Sequence, residues 1–232
     1  SEVQNMLIPK SLPHYDNYEI SCIYKPHFNV GGDYFDYIKF GENRFAICIA
    51  DISGKGVAAA LLMANFQATI QSLIHQYRDL ETFVFALNQS VHRITNSDKF
   101  ITFFIAEFDL DKKEIKYINA GHYPPILRTG DTITKLDKGC TVIGAFDVLP
   151  DIKEETIKLE GESLILCFTD GLADLRNIHN DFFDIEAMDT FVEENHILSA
   201  DDFNEKLINK IDMFKGEQEY TDDIAILTCK IY

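Results

Sequence analysis

Three runs in this chain, Phe45–Ala50 (FAICIA), Phe100–Ala106 (FITFFIA) and Ser163–Phe168 (SLILCF), are apolar at nearly every position. A strand with one wet face alternates apolar and polar residues; these do not, so the sheets they enter must be covered on both faces. The rest of the chain supplies the cover. "VAAALLMANFQATIQSLIHQYR" has no breaker and reads as a helix to Arg78, and a second helix follows from Leu80 to Asn96. Two further helical segments are expected over Phe182–Glu194 and Ala200–Phe214. Strands are expected over Tyr18–Phe28, in three hairpins, in "ESLILCFTD" and in the closing "YTDDIAILTCKIY". About ten strands and two helix pairs pack most economically as an α+β fold, a four-layer αββα sandwich of two antiparallel sheets flanked by helix pairs. A two-layer α+β domain would leave one sheet face bare.

The first hairpin carries the chemistry. Asp33–Phe40 and Arg44–Asp51 flank the turn Gly41-Glu42-Asn43, and a three-residue loop that sets Phe40 opposite Arg44 also sets Asp33 opposite Asp51. Like charges so placed repel, which calls for a cation between them, unless the register slips or both acids end their strands in solvent. Further acids stand at other strand ends: Asp170 closes "LILCFTD", and Asp222 and Asp223 open "DDIAILT". In antiparallel sheets such ends meet at one edge. A carboxylate-rich site suits Mg2+ or Mn2+, and the seven histidines show no zinc spacing such as HExxH.

The balance of 21 basic against 38 acidic residues, a formal charge of −17, disfavours nucleic acid and anionic membranes as partners. The five cysteines, odd in number and without CxxC spacing, point to a reducing, cytoplasmic setting. No apolar stretch approaches the roughly 20 residues of a membrane span.

Five motifs, "GGDYFD", "DISGKGVAAALLMA", "AGHYPP", "TDG" and "TDDIAIL", stand in the order found in metal-dependent serine/threonine protein phosphatases of the PPM superfamily. The chain most resembles the bacterial SpoIIE/RsbU-like branch, from about Tyr18 to Tyr232. The resemblance implies two Mn2+ or Mg2+ ions and a metal-bridging hydroxide that attacks phosphoserine or phosphothreonine. The implied substrate is a phosphorylated regulatory protein, in this branch an anti-sigma factor antagonist. Carried over by position, Asp51 matches the acid bridging both metals and the Ile52 carbonyl matches a ligand of one. Asp33 matches the acid that holds water around the metals, Asp170 the acid of the "DG" motif, and Asp222 the first acid of the closing motif, with Asp223 beside it. Residues 18–232 are then the phosphatase domain. Residues 1–17, helix-compatible up to Pro9, are expected to end a linker or regulatory helix from an upstream sensor domain in the same chain, and a homodimer is a further expected partnership. The acidic, helical stretch from Asp174 to Gln218 is expected to face substrate as a flap.

Two departures from the wider family stand out. Ser53 occupies the position of a His that animal-type members carry as a candidate general acid. No Arg precedes Asp33 to clamp phosphate, only Lys10 and Lys25. His122 sits where some relatives place an acid for a third metal; the plainer reading is that it orders the loop containing Pro124 and Pro125. Gly31, Gly32, Gly54 and Gly56 allow sharp chain turns. A P-loop is excluded, because Ile49 and Gly56 stand where it needs Gly and Ser or Thr. Two alternatives to a phosphatase are weaker. "GGDYF" is one letter from the GGDEF signature of nucleotide cyclases, but Tyr34 replaces its second acid. A catalytically silent phosphoprotein-binding module of the same fold leaves the intact acids without a purpose.

Overall fold

A computed structural model describes residues 8, 9, 11–27, 31–54 and 56–232. Of residues 1–17, expected to end a linker or regulatory helix, 1–7 and 10 lie outside the described residues, and those of the segment that are described hold no helix. Residues 28–30 and 55 also lie outside the described residues. The chain divides into two compact units, one formed from Val30–His122 and Asp137–Lys158, the other from Ser11–Asn29, Tyr123–Leu136 and Leu159–Tyr232.

The first unit is built on a six-stranded sheet. Its strands are β2 (Asp33–Lys39), β3 (Arg44–Ile52), β4 (Ile101–Asp109), β5 (Glu114–Ala120), β8 (Gly139–Cys140) and β9 (Glu155–Lys158). They run in the order β2-β3-β4-β5-β8, with β9 also paired to β5. Every pairing is antiparallel except the two-residue contact of β5 with β8. Helices α1 (Gly56–Leu73) and α2 (Leu80–Thr95) cover one face. Met63, Phe66, Ile70, Phe83, Leu87 and Val91 pack there with Tyr34, Cys48, Ala50, Phe103 and Ile105 from the sheet. The alternate residues Phe35, Phe45, Ile47, Ile49 and Phe104 are just as fully buried on the other face, as the unbroken apolar runs require.

α1 ends five residues before the expected Arg78. Asp79 must take an extended backbone (φ −133°, ψ 155°) to cap α2, where its side chain accepts the Thr82 N–H. The chain leaves helical geometry ahead of it through a turn in which Gln76 N–H donates to Leu73 O at 2.8 Å.

The second unit holds a five-stranded antiparallel sheet ordered β1-β11-β10-β6-β7. Its strands are β1 (Tyr18–Lys25), β6 (Ile126–Thr129), β7 (Thr132–Lys135), β10 (Ser163–Phe168) and β11 (Ile224–Ile231). Helices α4 (Met188–Asn195) and α5 (Ala200–Lys215) pack on it through Met188, Val192, Phe203, Leu207 and Ile211. Much of the stretch expected to be a flap is therefore the helical cover of this sheet. α4 starts at Met188 rather than the expected Phe182, because the Asp184 carboxylate accepts the Ala187 N–H at 3.1 Å and holds a local turn there. β1 stops at Lys25, short of the expected Phe28.

The α+β class expected from sequence stands, with a mostly antiparallel sheet and a helix pair in each unit. Among the described residues, no helix is long and apolar enough to cross a membrane, and the five cysteines form no disulfide.

Candidate active site

The loop Gly41–Asn43 closes the first hairpin as its length demands, with Phe40 N–H donating to Arg44 O at 2.9 Å. Pairing then runs outward without a slip and sets Asp33 opposite Asp51. Alternation along the strands puts both acids on the face away from α1 and α2, in line with Phe35, Ile47 and Ile49. Asp33 is 2% exposed and Asp51 is half-buried. Asp36, of opposite parity, lies on the helix side. Its carboxylate accepts from the Tyr34 hydroxyl at 2.7 Å and Gln71 Nε2 at 2.6 Å, and burial holds its pKa above the ordinary carboxylate value.

Gly32 precedes Asp33 where no side chain fits. A Cβ there would stand 2.8 Å from the Ile52 carbonyl oxygen and 3.6 Å from Asp51 Oδ1. The glycine thus keeps space open beside two of the oxygens carried over as metal ligands, while Ile52 N–H donates to Gly32 O at 3.2 Å. Beyond Ile52 the ladder continues: Ser53 N–H donates to Phe100 O at 3.0 Å, and Ser53 Oγ accepts the Phe100 N–H at 2.9 Å. Ser53, standing where animal-type relatives carry His, fastens the loop after Asp51 to the start of β4.

The other three acids belong to the second unit. Asp170 is exposed and begins the short helix α3 (Asp170–Ala173). Thr169 ties this turn to β11, its N–H donating to Ala225 O at 3.1 Å and its Oγ1 accepting the Ala225 N–H at 3.0 Å. A Cβ on Gly171 would fall 1.9 Å from the Asp223 carbonyl oxygen, so the "TDG" turn lies directly on the "DDIA" segment. Asp222 Oδ1 accepts the Asp223 N–H at 2.9 Å, and Asp223 Oδ1 accepts the His27 N–H at 2.8 Å.

The structure therefore brings Asp33, Asp51 and Ile52 together in one unit, and Asp170 with Asp222 and Asp223 in the other. Among the described residues, no group of three or more His, Cys, Asp or Glu side chains forms a metal site by itself. The first set nevertheless fits an oxygen-ligated divalent cation: two carboxylates paired across strands, beside a carbonyl oxygen that a glycine leaves uncrowded. Sequence reasoning missed Thr102, the residue paired with Asp51 on β4. Its one signal was a lone hydroxyl in an apolar run. It also missed Thr169, whose part depends on β10 meeting β11.

The sequence profile of the Stage II sporulation protein E (SpoIIE) family matches residues 41–232. Phosphoserine phosphatase RsbU of Bacillus subtilis (strain 168) is 28% identical over 233 residues, covering 98% of this chain and 68% of that protein. The chain spans 40% of the length of each of two further curated relatives. Among solved structures, the SiaA-PP2C domain of Pseudomonas aeruginosa is similar with a TM-score of 0.82 at 20% identity, covering 92% of this chain and 86% of that one. The catalytic domain of the serine/threonine protein phosphatase PstP, in complex with 2 manganese ions, is similar with a TM-score of 0.66 at 13% identity, covering 93% and 99%. These likenesses show the PP2C fold, within the α+β class. The chain thus belongs to the SpoIIE family, in the SpoIIE/RsbU-like branch of the PPM serine/threonine protein phosphatases.

Proposed function

We propose that this chain hydrolyses phosphoserine or phosphothreonine on a regulatory protein, an anti-sigma factor antagonist, with two Mn2+ or Mg2+ ions. Asp33, Asp51, the Ile52 carbonyl, Asp170, Asp222 and Asp223 are the proposed ligands. The observation that carries the reading is the Asp33–Asp51 register beside the space Gly32 leaves at the Ile52 carbonyl. Two buried or half-buried carboxylates facing each other are a cost that a cation turns into a gain. The manganese-bound PstP domain, similar in fold, supports the choice of ion.

The reaction forms one P–O bond from water, breaks the bond to the seryl or threonyl oxygen, and returns a proton to that oxygen. Divalent ions, when bound, lower the pKa of coordinated water and offset charge on the phosphoryl oxygens. The chain's own part is positional. β2 and β3 hold Asp33 and Asp51 at a fixed cross-strand spacing. The Ser53–Phe100 bonds keep the loop after Asp51 from fraying, and the Thr169–Ala225 bonds hold Asp170 against the segment bearing Asp222 and Asp223. Asp223 is further held in place, since its carboxylate accepts the His27 N–H. Residues 1–17 are proposed to link this domain to an upstream sensor, with a cytoplasmic location and a homodimeric state as parts of the same reading.

The test is dephosphorylation of a phosphoserine-bearing antagonist protein with and without Mn2+. Activity is expected to depend on the metal, to vanish with excess chelator and to fall in Asp33→Asn and Asp170→Asn. Full turnover in excess EDTA overturns the metal reading. An Asp170→Asn variant that retains its phosphorylated partner on a column would identify the substrate.

A further inference from the structure

The register that sets Asp33 against Asp51 continues one strand further. Asp51 pairs with Thr102 of β4, and cross-strand partners share a face, so Asp33, Asp51 and Thr102 stand in one row. Thr102 is set among Ile101, Phe103, Phe104 and Ile105. Its Oγ1 lies 2.8 Å from Nδ1 of His122, a residue only 5% exposed, just past the end of β5. Other bonds already fasten the turn that carries this histidine. His122 N–H donates to Asn119 Oδ1 at 2.8 Å, Asn119 N–H donates to Lys138 O at 2.8 Å, and Gly121 bridges to Phe103. The imidazole–hydroxyl bond is thus surplus to holding the turn, and it ends on the residue beside Asp51.

The geometry points to Thr102 and His122 as positioning residues for Asp51, an inference that rests on Asp51 being a metal ligand. Either atom of the 2.8 Å contact can donate; in this inference it is His122 Nδ1–H, which frees the hydroxyl proton to turn toward the carboxylate of Asp51, the cross-strand neighbour of Thr102. A hydroxyl has one proton to give; given to Nδ1, it would not serve Asp51. A neutral donor also orients the carboxylate without adding a third charge to a row that already sets two anions side by side. Hydrogen bonds behind a metal-ligating carboxylate are worth about 10–100-fold in metal affinity.

Mn2+ affinity of the full chain, read by titration calorimetry, tests this with Thr102→Val, Thr102→Ser, His122→Gln, His122→Asn and Asp51→Asn, the fold of each checked by circular dichroism. Thr102→Val and His122→Gln are each expected to weaken Mn2+ about tenfold or more. Thr102→Ser, and His122→Asn with its amide at the Nδ1 position, stay within about threefold of the parent, below that range. The Val/Gln double variant is no weaker than Thr102→Val alone, since without the hydroxyl the residue at 122 has nothing left to orient. Parental affinity in Thr102→Val and His122→Gln, alongside loss in Asp51→Asn, overturns the positioning role and leaves the metal reading standing. Parental affinity in Asp51→Asn overturns the metal reading and this inference with it. Should the variants unfold, 15N NMR of the unmutated protein with Mg2+ decides: a protonated His122 Nδ1 is expected, and a bare Nδ1 with a protonated Nε2 overturns the inference.

Discussion

Asp33 and Asp36 lie three residues apart on one strand and behave oppositely, because the pleat sends them to different faces. Asp33→Asn removes one of two facing charges, so the metal-free protein is expected to gain about 0.2–1 kcal/mol while Mn2+ affinity falls at least about tenfold. Chemical denaturation with chelator and calorimetry with Mn2+ check the two halves. Asp36→Asn leaves Mn2+ affinity unchanged, since its carboxylate is engaged by Tyr34 and Gln71 under α1. Its signature is in pH. Burial raises the Asp36 pKa, so between the ordinary value and the raised one the folded state holds a proton that the unfolded chain has lost. Stability of the parent relative to Asp36→Asn therefore falls as pH rises through that window and is level above it. Urea midpoints at a series of pH values from about 4 to 7 read this directly, and a difference that grows with pH contradicts it. The parity of these two acids was legible once the turn Gly41–Asn43 was recognised. Their environments were not, because Gln71 reaches Asp36 only after α1 has docked.

At the scale of elements, α1 and α2 are joined by a connection whose end is set by one side chain. Asp79 accepts the Thr82 N–H and the Thr82 hydroxyl, both at 2.8 Å, satisfying donors that the first turn of α2 leaves bare. Asp79→Ala is expected to cost about 1 kcal/mol, or about 2–4 °C in melting temperature for a chain of this size, without altering Mn2+ affinity. Asp79→Ser keeps most of that stability, because Ser caps as well as Asp. Thermal melts of the three proteins check the order. The same residue explains why apolar periodicity overran the end of α1: Ile74 stays buried past the helix, so the pattern continues through a turn that is no longer helical. β8 and β9 escaped the sequence for a related reason. Gly139–Cys140 and Glu155–Lys158 carry no alternating pattern of their own, and only the edge of β5 makes strands of them.

For the whole molecule, a ligand that binds only the folded chain must raise its stability. At 100 times its dissociation constant Mn2+ contributes about 2.7 kcal/mol, which is about 5–10 °C in melting temperature, reversed by chelator. An unshifted melting curve at saturating Mn2+ and Mg2+ contradicts the proposed ligand set. The sequence alone determined the double-sided sheets, because runs such as FAICIA and SLILCF admit no wet face. It determined the Asp33–Asp51 pair, because a short loop sets the register of both its strands. Five motifs placed the chain in its phosphatase branch. Only the tertiary structure decided that β1 and β11, the first and last strands, lie side by side, that Gly171 rests on Asp223, and that His122 reaches the hydroxyl next to Asp51. Turn chemistry and apolar periodicity act over a few residues. Contacts between distant segments are chosen by how whole sheets assemble, and no local stretch records that choice.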